Sequence, residues 1–518
     1  MKELYLYDRL EEYCSSEVYP FHMPGHKRNM TLLGEMYGEE KKNRNKAEMP
    51  YGIDITEIDG FDNLHHAEGI LEEVQQRAAR LYGAAQSFYL INGSTCGILA
   101  SIFACTTQRG KILMARNCHK AVYHAAELRE LETIYVYPKQ MEKGVGGKSK
   151  IRQTGDAVRI NGSVLPEDIE AALERDSKIQ AIVLTSPTYD GVLSDIQRIS
   201  EIAHHYGVPL IVDEAHGAHF GFHEAFPQNA LKKGADIVIH SLHKTLPSMT
   251  QTALLHIGEK STKWTEYVKK YLDIFETSSP SYVFMAGMDQ CMRLLEQRGT
   301  ELFSTYSQRL HDFKNEVVKL QHIHLLMEEE SVRGQVYETD PGKLVISVDG
   351  WTGHELAEFL RRSEYLEVEM EAAGYVIALT SIADTTEGFE RLKNALIHIE
   401  ERISTNVVDE ENNLRKTKEI GNAAAGQQYF DRNGRMEQVL TIAQAAGCEH
   451  RTVNLDESAG EICGEYIYLY PPGIPLAVPG ERMTEELICQ IRKMEQMELE
   501  IQGMRDYSGK KVDVCRKI

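Results

Sequence analysis

The stretch Ile237-Val238-Ile239-His240-Ser241-Leu242-His243-Lys244 decides the fold class, because a short apolar strand passes directly into polar residues and a lysine. Similar apolar runs, each followed by a polar turn, come earlier in the chain, at 87–91, 111–115, 181–185 and 209–212. Runs of helical periodicity, such as 70–82, alternate with them. This alternation predicts an α/β fold with a mostly parallel central sheet. Ligands of such sheets bind at the carboxyl ends of the strands, so the residues after each strand are the candidates for a site.

The pattern changes after about residue 285, where helical segments such as 288–298 are followed by a strand at 344–348. A further strand is predicted at 466–470. We therefore predict a large domain, a smaller α+β domain and a C-terminal α+β domain. The predicted boundaries are an N-terminal arm at 1–30, the large domain at 31–285, the small domain at 286–408, a polar linker or excursion at 409–435, and the C-terminal domain at 436–518.

Composition excludes several classes of protein. The 518 residues include 57 Lys and Arg against 78 Asp and Glu, a net charge of −21, which disfavours binding to a nucleic-acid backbone. No apolar run approaches the ~20 residues of a membrane span, and the first residues resemble no secretory signal. The nine cysteines are scattered without a CxxC pair, which argues against a disulfide framework or a structural zinc site. We predict a cytoplasmic protein.

The acidic segment Val212-Asp213-Glu214-Ala215-His216 also suggests two other functions, a helicase and a metal-binding protein. A helicase would also need a GxxxxGK[ST] loop, but the nearest candidate, Gly147-Lys148-Ser149, has Glu142 where that motif has its first glycine. A metal site is the second alternative. The pairs His216/His219 and His65/His66 lack the i, i+4 spacing of a zinc protease helix, and we predict no metal.

A third interpretation uses three segments at once. Lys244 and Asp213 each follow a strand, and Gly93-Ser94-Thr95-Cys96-Gly97 follows another strand and opens an apolar helix. The free N–H groups and the dipole of a helix N-terminus suit a phosphate. A lysine amine, a buried acid and a phosphate-binding loop are the groups that pyridoxal 5'-phosphate (PLP) requires. The sequence therefore predicts a PLP site.

The chain also resembles the PLP-dependent ornithine/lysine/arginine decarboxylases of bacterial type, which have the fold-type-I aminotransferase architecture. The matching segments follow in family order along nearly the whole chain: FHMPGHK at 21–27, 54–62, NGST at 92–95, RNCHK at 116–120, TYDG at 188–191, VDEAH at 212–216, SLHK at 241–244, TSSPSY at 277–282 and YPPGIP through PGE at 470–481.

The resemblance implies a role for each matching residue. Lys244 would bind PLP covalently, Asp213 would pair with the pyridine nitrogen, and His119 would stack on the ring. The other implied cofactor-binding residues are Ser94, Thr95, Ala215, His216, Ser241 and His243. Ser278, in the segment 277–279, would reach the phosphate of a neighbouring subunit, and the loop 470–481 would close part of the substrate pocket. The chain would act as a homodimer or a dimer of dimers, and the N-terminal receiver-like domain of larger members, which supports decamers, is expected to be absent.

The resemblance implies decarboxylation of a basic amino acid, with arginine slightly favoured over lysine and ornithine. An acidic group must hold the basic end of such a substrate, and Asp59, Asp62 and Glu481 are the candidates. Two rival functions stay open. Another fold-type-I enzyme, an aminotransferase or a lyase, would use an arginine for the substrate carboxylate, as Arg361, Arg362 or Arg391 could supply. A non-catalytic regulator would be expected to lack Lys244 or Asp213, and both are present.

Overall fold

The computed structural model describes residues 19–21, 25, 27, 29, 31–32, 57, 61–143, 158–329, 335–409, 436–470, 473–496 and 499–516. Three of the predictions above lie outside these residues. They concern the Gly147-Lys148-Ser149 loop, the substrate candidate Asp59, and residues 410–435 of the predicted linker.

The strands are numbered here in chain order. They are β1 (Tyr19–Phe21), β2 (Gln86–Leu90), β3 (Lys111–Ala115), β4 (Glu132–Val136), β5 (Gln140–Lys143), β6 (Val158–Asn161), β7 (Ile179–Thr185), β8 (Val192–Leu193), β9 (Leu210–Asp213), β10 (Ile237–Ser241), β11 (Ala253–Ile257), β12 (Ile323–Leu325), β13 (Glu338–Thr339), β14 (Lys343–Val348), β15 (Leu366–Val368), β16 (Met370–Glu371), β17 (Val376–Leu379), β18 (His450–Asn454), β19 (Ile467–Leu469), β20 (Ile474–Ala477), β21 (Ile501–Gln502) and β22 (Lys511–Cys515).

The α-helices are numbered in the same way. They are α1 (Ile70–Tyr82), α2 (Gly93–Cys105), α3 (Lys120–Leu128), α4 (Pro166–Arg175), α5 (Ile196–His205), α6 (Leu242–Thr245), α7 (Thr265–Phe275), α8 (Tyr282–Val317), α9 (Gly353–Ser363), α10 (Thr386–Asp409), α11 (Ile442–Ala446) and α12 (Glu485–Gln496). Within the part of the chain that the structure covers, no helix combines the length and the apolar character that crossing a membrane requires.

The central sheet has seven strands in the order β2-β11-β10-β9-β7-β3-β4. Strand β11 runs antiparallel to both of its neighbours, and the pairs from β10 to β4 are parallel. The predicted α/β class and mostly parallel sheet are therefore confirmed. Every residue of β9 and β10 is buried, as expected for strands covered by helices on both faces.

Helix α2 packs closely on this sheet because one of its positions is a glycine. A Cβ atom at Gly97 would lie 2.6 Å from Cδ1 of Leu90 and 3.4 Å from Cγ2 of Ile239. The first distance is shorter than any ordinary carbon–carbon contact, so a larger side chain would push α2 away from β2 and β10. The close approach places the N-terminus of α2 beside the end of β10.

A second, antiparallel sheet has the order β12-β14-β17-β16, and helices α8, α9 and α10 belong to the same part of the chain. The N-terminal segment joins this part, since β1 pairs in parallel with β15. Helix α8 is 36 residues long, well beyond the helical segment predicted at 288–298. Its N-terminus is capped by Ser281, whose Oγ accepts a hydrogen bond from the Phe284 N–H.

The C-terminal part has a hydrophobic core of its own. It is built from the paired strands β18 and β22, the three-stranded sheet β20-β19-β21 and helix α12. Its short helix α11 packs against α3 of the large sheet's helical layer. The domain boundaries given above stay a prediction.

Candidate active site

Two serines meet at the N-terminus of α2. Ser241, the last residue of β10, donates a hydrogen bond from its Oγ to Oγ of Ser94 over 3.0 Å. Gly93 opens the helix with φ +77°, a left-handed conformation that glycine adopts without strain. Thr95 is exposed beside them. Two hydroxyl groups and the free N–H groups of a thirteen-residue helix are arranged as an anion site requires.

Lys244 lies on α6, directly after β10, and Asp213 ends the neighbouring strand β9. Burial lowers the pKa of the Lys244 amine, and the charges of Asp213 and Glu369 oppose this effect. Burial likewise raises the pKa of Asp213, which is 3% exposed, while the Lys244 charge opposes the rise. Oδ1 of Asp213 accepts a hydrogen bond from the Ala215 N–H at 3.2 Å. A buried carboxylate of this kind is suited to a cationic ring N–H.

His216 lies between two lysines. Its Nε2 is 3.0 Å from Nζ of Lys244, and its Nδ1 is 2.8 Å from Nζ of Lys343. Burial, followed by the two lysine charges, lowers the pKa of His216 well below its usual value, so the ring is neutral. Burial also lowers the pKa of Lys343 to about 8, so at pH 7 it is an ammonium group that can only donate hydrogen bonds.

This chain of contacts determines where the protons lie. If Lys343 donates to Nδ1, the single proton of the neutral ring must be on Nε2, which then donates to Nζ of Lys244. In that arrangement Nζ of Lys244 accepts the hydrogen bond and is an unprotonated amine, which is the nucleophilic form. Sequence reasoning missed Lys343. The signal that could have found it is a lysine at the start of β14, a strand in which every residue is buried.

His119 caps the N-terminus of α3. Its Nδ1 accepts a hydrogen bond from the Ala121 N–H at 3.2 Å, so Nε2 carries the ring proton. Burial and, next, the Lys244 charge lower the pKa of His119 to about 3. Gly473 lies over the ring, where its Cβ position is 3.6 Å from Nε2 of His119, and its carbonyl accepts from the Lys120 N–H at 3.3 Å. The predicted closing loop therefore contacts a predicted cofactor residue.

The remaining predicted cofactor-binding residues are His243, Ala215 and Ser278. His243 is half-buried, and its Nδ1 is 3.0 Å from the Thr252 carbonyl oxygen. Its own carbonyl accepts a hydrogen bond from the Gly25 N–H, so Gly25 lies against α6. The Ala215 carbonyl accepts from the Ser241 N–H at 3.3 Å, which joins the segments after β9 and β10. Ser278 is exposed on the single chain.

Two of the predicted substrate carboxylates are already engaged. Oδ1 and Oδ2 of Asp62 accept hydrogen bonds from backbone N–H groups of residues 63, 68, 69 and 71 at the start of α1. Burial is the largest single influence and raises the pKa of Asp62, but the backbone hydrogen bonds together outweigh it and lower the pKa. Glu481 is 1% exposed, and its Oε2 lies 3.0 Å from Arg116 and accepts from the Val478 N–H. These contacts give both residues structural roles and argue against them as substrate ligands.

A different carboxylate, Glu369, lies beside the lysines. Its charge raises the pKa values of Lys27, Lys244 and Lys343, in each case against a larger lowering by burial. It also lines a cavity of about 280 Å³ between the small-domain strands and the C-terminal part, and it accepts a short hydrogen bond from the Tyr189 hydroxyl. The other acidic residues of the cavity wall are Glu367, Glu371 and Glu500. Sequence reasoning missed Glu369 because no local motif marks it.

These residues fit PLP by charge and by donor type. Lys244 would supply a buried amine whose pKa is lowered and which contacts His216, and Asp213 would supply a buried acid. Ser94, Ser241 and the N-terminus of α2 supply phosphate ligands, and His119 supplies a neutral ring. The fold and this set of groups define a fold-type-I enzyme, the class whose members use PLP.

Comparison with known proteins assigns the family. The family model "Orn/Lys/Arg decarboxylase, major domain" matches residues 5–387, and the model "Orn/Lys/Arg decarboxylase, C-terminal domain" matches residues 425–507. The chain belongs to the Orn/Lys/Arg decarboxylase family, as the resemblance predicted.

Two relatives from Bacillus subtilis (strain 168) match along almost the whole chain. The uncharacterized protein YaaO is 33% identical over 96% of this chain and 95% of its own length. An arginine decarboxylase is 29% identical over 97% of this chain and 95% of its own length. Among solved structures, the lysine decarboxylase LdcF of Francisella novicida has the same fold, with a TM-score of 0.71 at 19% identity over 98% of this chain and 80% of that one.

Proposed function

We propose that this protein decarboxylates a basic amino acid, arginine in preference to lysine and ornithine, to the corresponding amine and CO2, with PLP carried on Lys244. The observation that carries the proposal is the meeting of Lys244, Asp213 and the Ser94–Ser241 pair at adjacent strand ends, next to an acidic cavity. The preference for arginine is supported by the names of relatives such as the Bacillus subtilis enzyme, which align with nearly the whole chain.

Some of these residues would bind the cofactor, and others would bind the substrate or transfer a proton to it. When bound, PLP withdraws electrons from Cα, so that the substrate carboxylate can leave as CO2. Asp213 would favour this by holding a positive charge at the ring nitrogen, and His119 would pack against the ring as a neutral group. Lys244, with His216 as its proton partner at 3.0 Å, returns a proton to Cα. His119 is a poor acid for this step because its Nδ1 is an acceptor and its pKa is about 3.

Glu369 is the proposed ligand for the basic end of the substrate. A guanidinium group can donate two parallel hydrogen bonds to one carboxylate. The ammonium group of lysine or ornithine requires only a nearby negative charge. The cavity wall carries Glu369, Glu371 and Glu500 together with the Arg361–Glu367 ion pair, so its net charge is negative and favours a cation.

The rival aminotransferase receives no support from the arginines considered for it. Arg361 pairs with Glu367 at 2.9 Å, and Arg362 pairs with Glu358 at 2.9 Å. Arg391 donates to the Tyr365 carbonyl oxygen. These three arginines therefore contact residues other than Lys244, His216 and Asp213.

The test is an assay of the PLP-loaded protein with arginine, lysine and ornithine separately. We expect CO2 together with agmatine from arginine, and slower release of cadaverine or putrescine from the other two. The Lys244→Ala variant should form none of these products. Formation of a keto acid without CO2 would replace the proposal by the aminotransferase, and wild-type turnover by Lys244→Ala would remove the assigned lysine.

A further inference from the structure

Three soft metal-ligand side chains meet in the C-terminal part, away from the Lys244 site. Sγ of Cys448, a ring nitrogen of His450 and Sγ of Cys515 all lie within 4.8 Å of one another. His450 and Cys515 face each other directly, because they are partners in the antiparallel pair β18–β22. Cys448 joins them from the turn that follows α11. Chain folding thus brings a Cys-x-His segment against a cysteine 65 residues further on.

All three groups point at a single oxygen, the carbonyl of Ala445 near the end of α11. Nε2 of His450 lies 2.9 Å from it, Sγ of Cys448 lies 3.1 Å from it and Sγ of Cys515 lies 3.8 Å from it. The Cys448 N–H also donates to the same oxygen, at 3.3 Å. Sγ of Cys515 also lies 3.8 Å from the Cys463 carbonyl oxygen, but a carbonyl oxygen has two lone pairs and the three other donors already exceed the capacity of the Ala445 oxygen. Hydrogen bonding alone does not account for the convergence of the three side chains.

We propose that Cys448, His450 and Cys515 bind a thiophilic divalent cation, with Zn²⁺ the best fit, and with the Ala445 carbonyl or a water molecule as the fourth ligand. Two thiolates and an imidazole are a common zinc ligand set, with Zn–S distances of about 2.3 Å and Zn–N distances of about 2.0 Å in a tetrahedron. Tetrahedral ligands at those lengths lie roughly 3.5–3.8 Å apart. Side-chain rotation is enough to reach these separations from a set that already lies within 4.8 Å.

Binding changes the protonation of each ligand. Burial and, next, the neighbouring Cys448 raise the pKa of Cys515 to about 12, so Cys515 is a thiol in the metal-free protein. The cation displaces one proton from each thiol to solvent, and the His450 ring keeps its single proton on Nδ1 while Nε2 binds the metal. No oxidant or reductant takes part.

The site differs from the sequence prediction of no metal. That prediction rested on the absence of CxxC spacing, and a spacing rule cannot detect a ligand brought in by strand pairing. The proposed ion would fasten the end of α11 to β18 and β22. Helix α11 packs against α3, whose first residue follows His119, so the ion would stabilise the contact between the C-terminal part and the predicted cofactor site.

The experiment uses the full-length, PLP-loaded protein, reduced with a phosphine and dialysed against Zn²⁺ or Co²⁺. We expect one tightly bound Zn²⁺ per chain by elemental analysis. The Co²⁺ form should show the intense near-ultraviolet absorbance of a thiolate–cobalt bond. Cys448→Ser and Cys515→Ser should each weaken Zn²⁺ binding at least tenfold and reduce that absorbance. Cys489→Ser, which changes an exposed cysteine on α12, is the matched control and should keep both.

Three results would overturn the proposal. The first is reduced wild-type protein that takes up neither metal at micromolar concentration, which needs no variant to fold. The second is a thiolate–cobalt absorbance that Cys448→Ser and Cys515→Ser leave unchanged. The third is a Cys448–Cys515 disulfide in the air-purified protein whose reduction restores no metal binding. The assay with arginine is independent of all three, so failure of the metal site and failure of the proposed decarboxylase activity are distinguishable.

Discussion

At the residue scale, reactivity at the candidate site depends on which groups hold protons. Lys343 donates to Nδ1 of His216 over 2.8 Å, and Nε2 of His216 then donates to Lys244 over 3.0 Å. When Lys343 is the ammonium donor in this chain, the amine of Lys244 accepts the second hydrogen bond and is in its nucleophilic form. The same ammonium donates to the Tyr189 carbonyl, which holds it in place.

We predict that Lys343→Met slows the attachment of PLP to the cofactor-free protein by about 10–100-fold at pH 7. This is the effect expected for loss of a charge-assisted hydrogen bond of ~1.5–3 kcal/mol. Methionine keeps most of the side-chain volume, so packing around β14 should be little changed. The measurement is the rate at which visible cofactor absorbance appears after mixing. Lys233→Met removes a lysine paired with Glu338 and should react at the wild-type rate. Equal slowing in both variants would contradict the relay.

A second residue-scale prediction concerns recognition of the substrate. Glu369→Gln keeps the shape of the side chain but removes the charge that a guanidinium or ammonium group would meet. We expect KM for arginine to rise about 10–100-fold, with a smaller change in kcat, because a charged hydrogen bond of ~1.5–3 kcal/mol is lost. Steady-state CO2 release gives both constants.

The matched control for Glu369→Gln is Glu367→Gln. Glu367 lines the same cavity, but Arg361 already binds it at 2.9 Å. Its KM should change less than threefold. A Glu369→Gln enzyme with a wild-type KM would exclude Glu369 as the substrate ligand.

Single residues also show what a sequence can predict about a site. Lys244, Asp213 and Ser94 could be proposed because each directly follows a predicted strand, and parallel strands end at one edge. Lys343 and Glu369 could not, because they reach that edge through packing of the small-domain strands against the large sheet. Asp62 and Glu481 stand in matching motifs, but a motif does not distinguish a helix cap or an ion-pair partner from a substrate ligand.

At the scale of elements, strands β9 and β10 are joined by a buried acid–histidine pair. Glu214 follows β9, and its Oε2 lies 2.7 Å from Nε2 of His240 in β10, with both residues almost fully buried. Glu214 also accepts from the Ala230 N–H at 3.1 Å. Burial raises the pKa of Glu214 to about 8 and lowers that of His240 to about 3. The pair is therefore a neutral acid and a neutral imidazole at pH 7.

We predict that the Glu214 proton gives the folded protein a stability that decreases as pH rises. The lowered pKa of His240 acts in the opposite direction between about pH 3 and pH 6.5, so the net loss for the pair falls above about pH 6.5. The folded state keeps the Glu214 proton up to about pH 8, whereas an unfolded chain releases it above about pH 4.5. The contribution is complete below pH 4.5 and lost by about pH 8, at up to ~1.4 kcal/mol per pH unit. Glu214→Gln retains the neutral hydrogen bonds without the proton. Its melting temperature should fall less than that of the wild type between pH 5 and pH 8.

The control for the slope is Glu338→Gln, which removes a more exposed carboxylate from its pair with Lys233. That variant should keep the wild-type pH dependence of melting. If Glu214→Gln were strongly destabilising at pH 5 and followed the wild-type slope, Glu214 and His240 would be a charged pair.

The elements themselves were predicted unevenly. The predicted strands at 111–115 and 237–240 agree with β3 and β10 to within one residue, because each is a short apolar run ended by polar residues. Helix α8 extends far beyond 288–298 because Gly287 and Gly299, which weaken a helix locally, lie on buried positions where tertiary packing outweighs propensity. The sequence pattern therefore does not predict the ends of a helix whose length depends on tertiary packing.

At the scale of the whole molecule, the segment after α7 suggests how two chains would complement each other. Glu276 begins this segment, and its Oε2 accepts from the Asn92 N–H at 3.2 Å, directly before the Ser94 loop. The next residues turn outward, and Ser278 and Ser279 are exposed. His65 holds the turn through a contact of 2.8 Å with the Thr277 carbonyl. The family resemblance predicts that Ser278 reaches the phosphate bound by a neighbouring chain, and its exposed position leaves it available for such a contact.

We predict that Ser278→Ala lowers the affinity for PLP about 10–100-fold, as expected for one hydrogen bond to a charged phosphate. Affinity for pyridoxal, which lacks the phosphate, should stay the same. A mixed dimer of a Lys244→Ala chain and a Ser278→Ala chain identifies the origin of the contact. Its one intact lysine belongs to the Ser278→Ala chain, so wild-type PLP affinity at that lysine means that the serine acts across the interface. Weakened affinity there would place the contact within one chain, and an equal loss for PLP and pyridoxal would exclude a phosphate contact altogether.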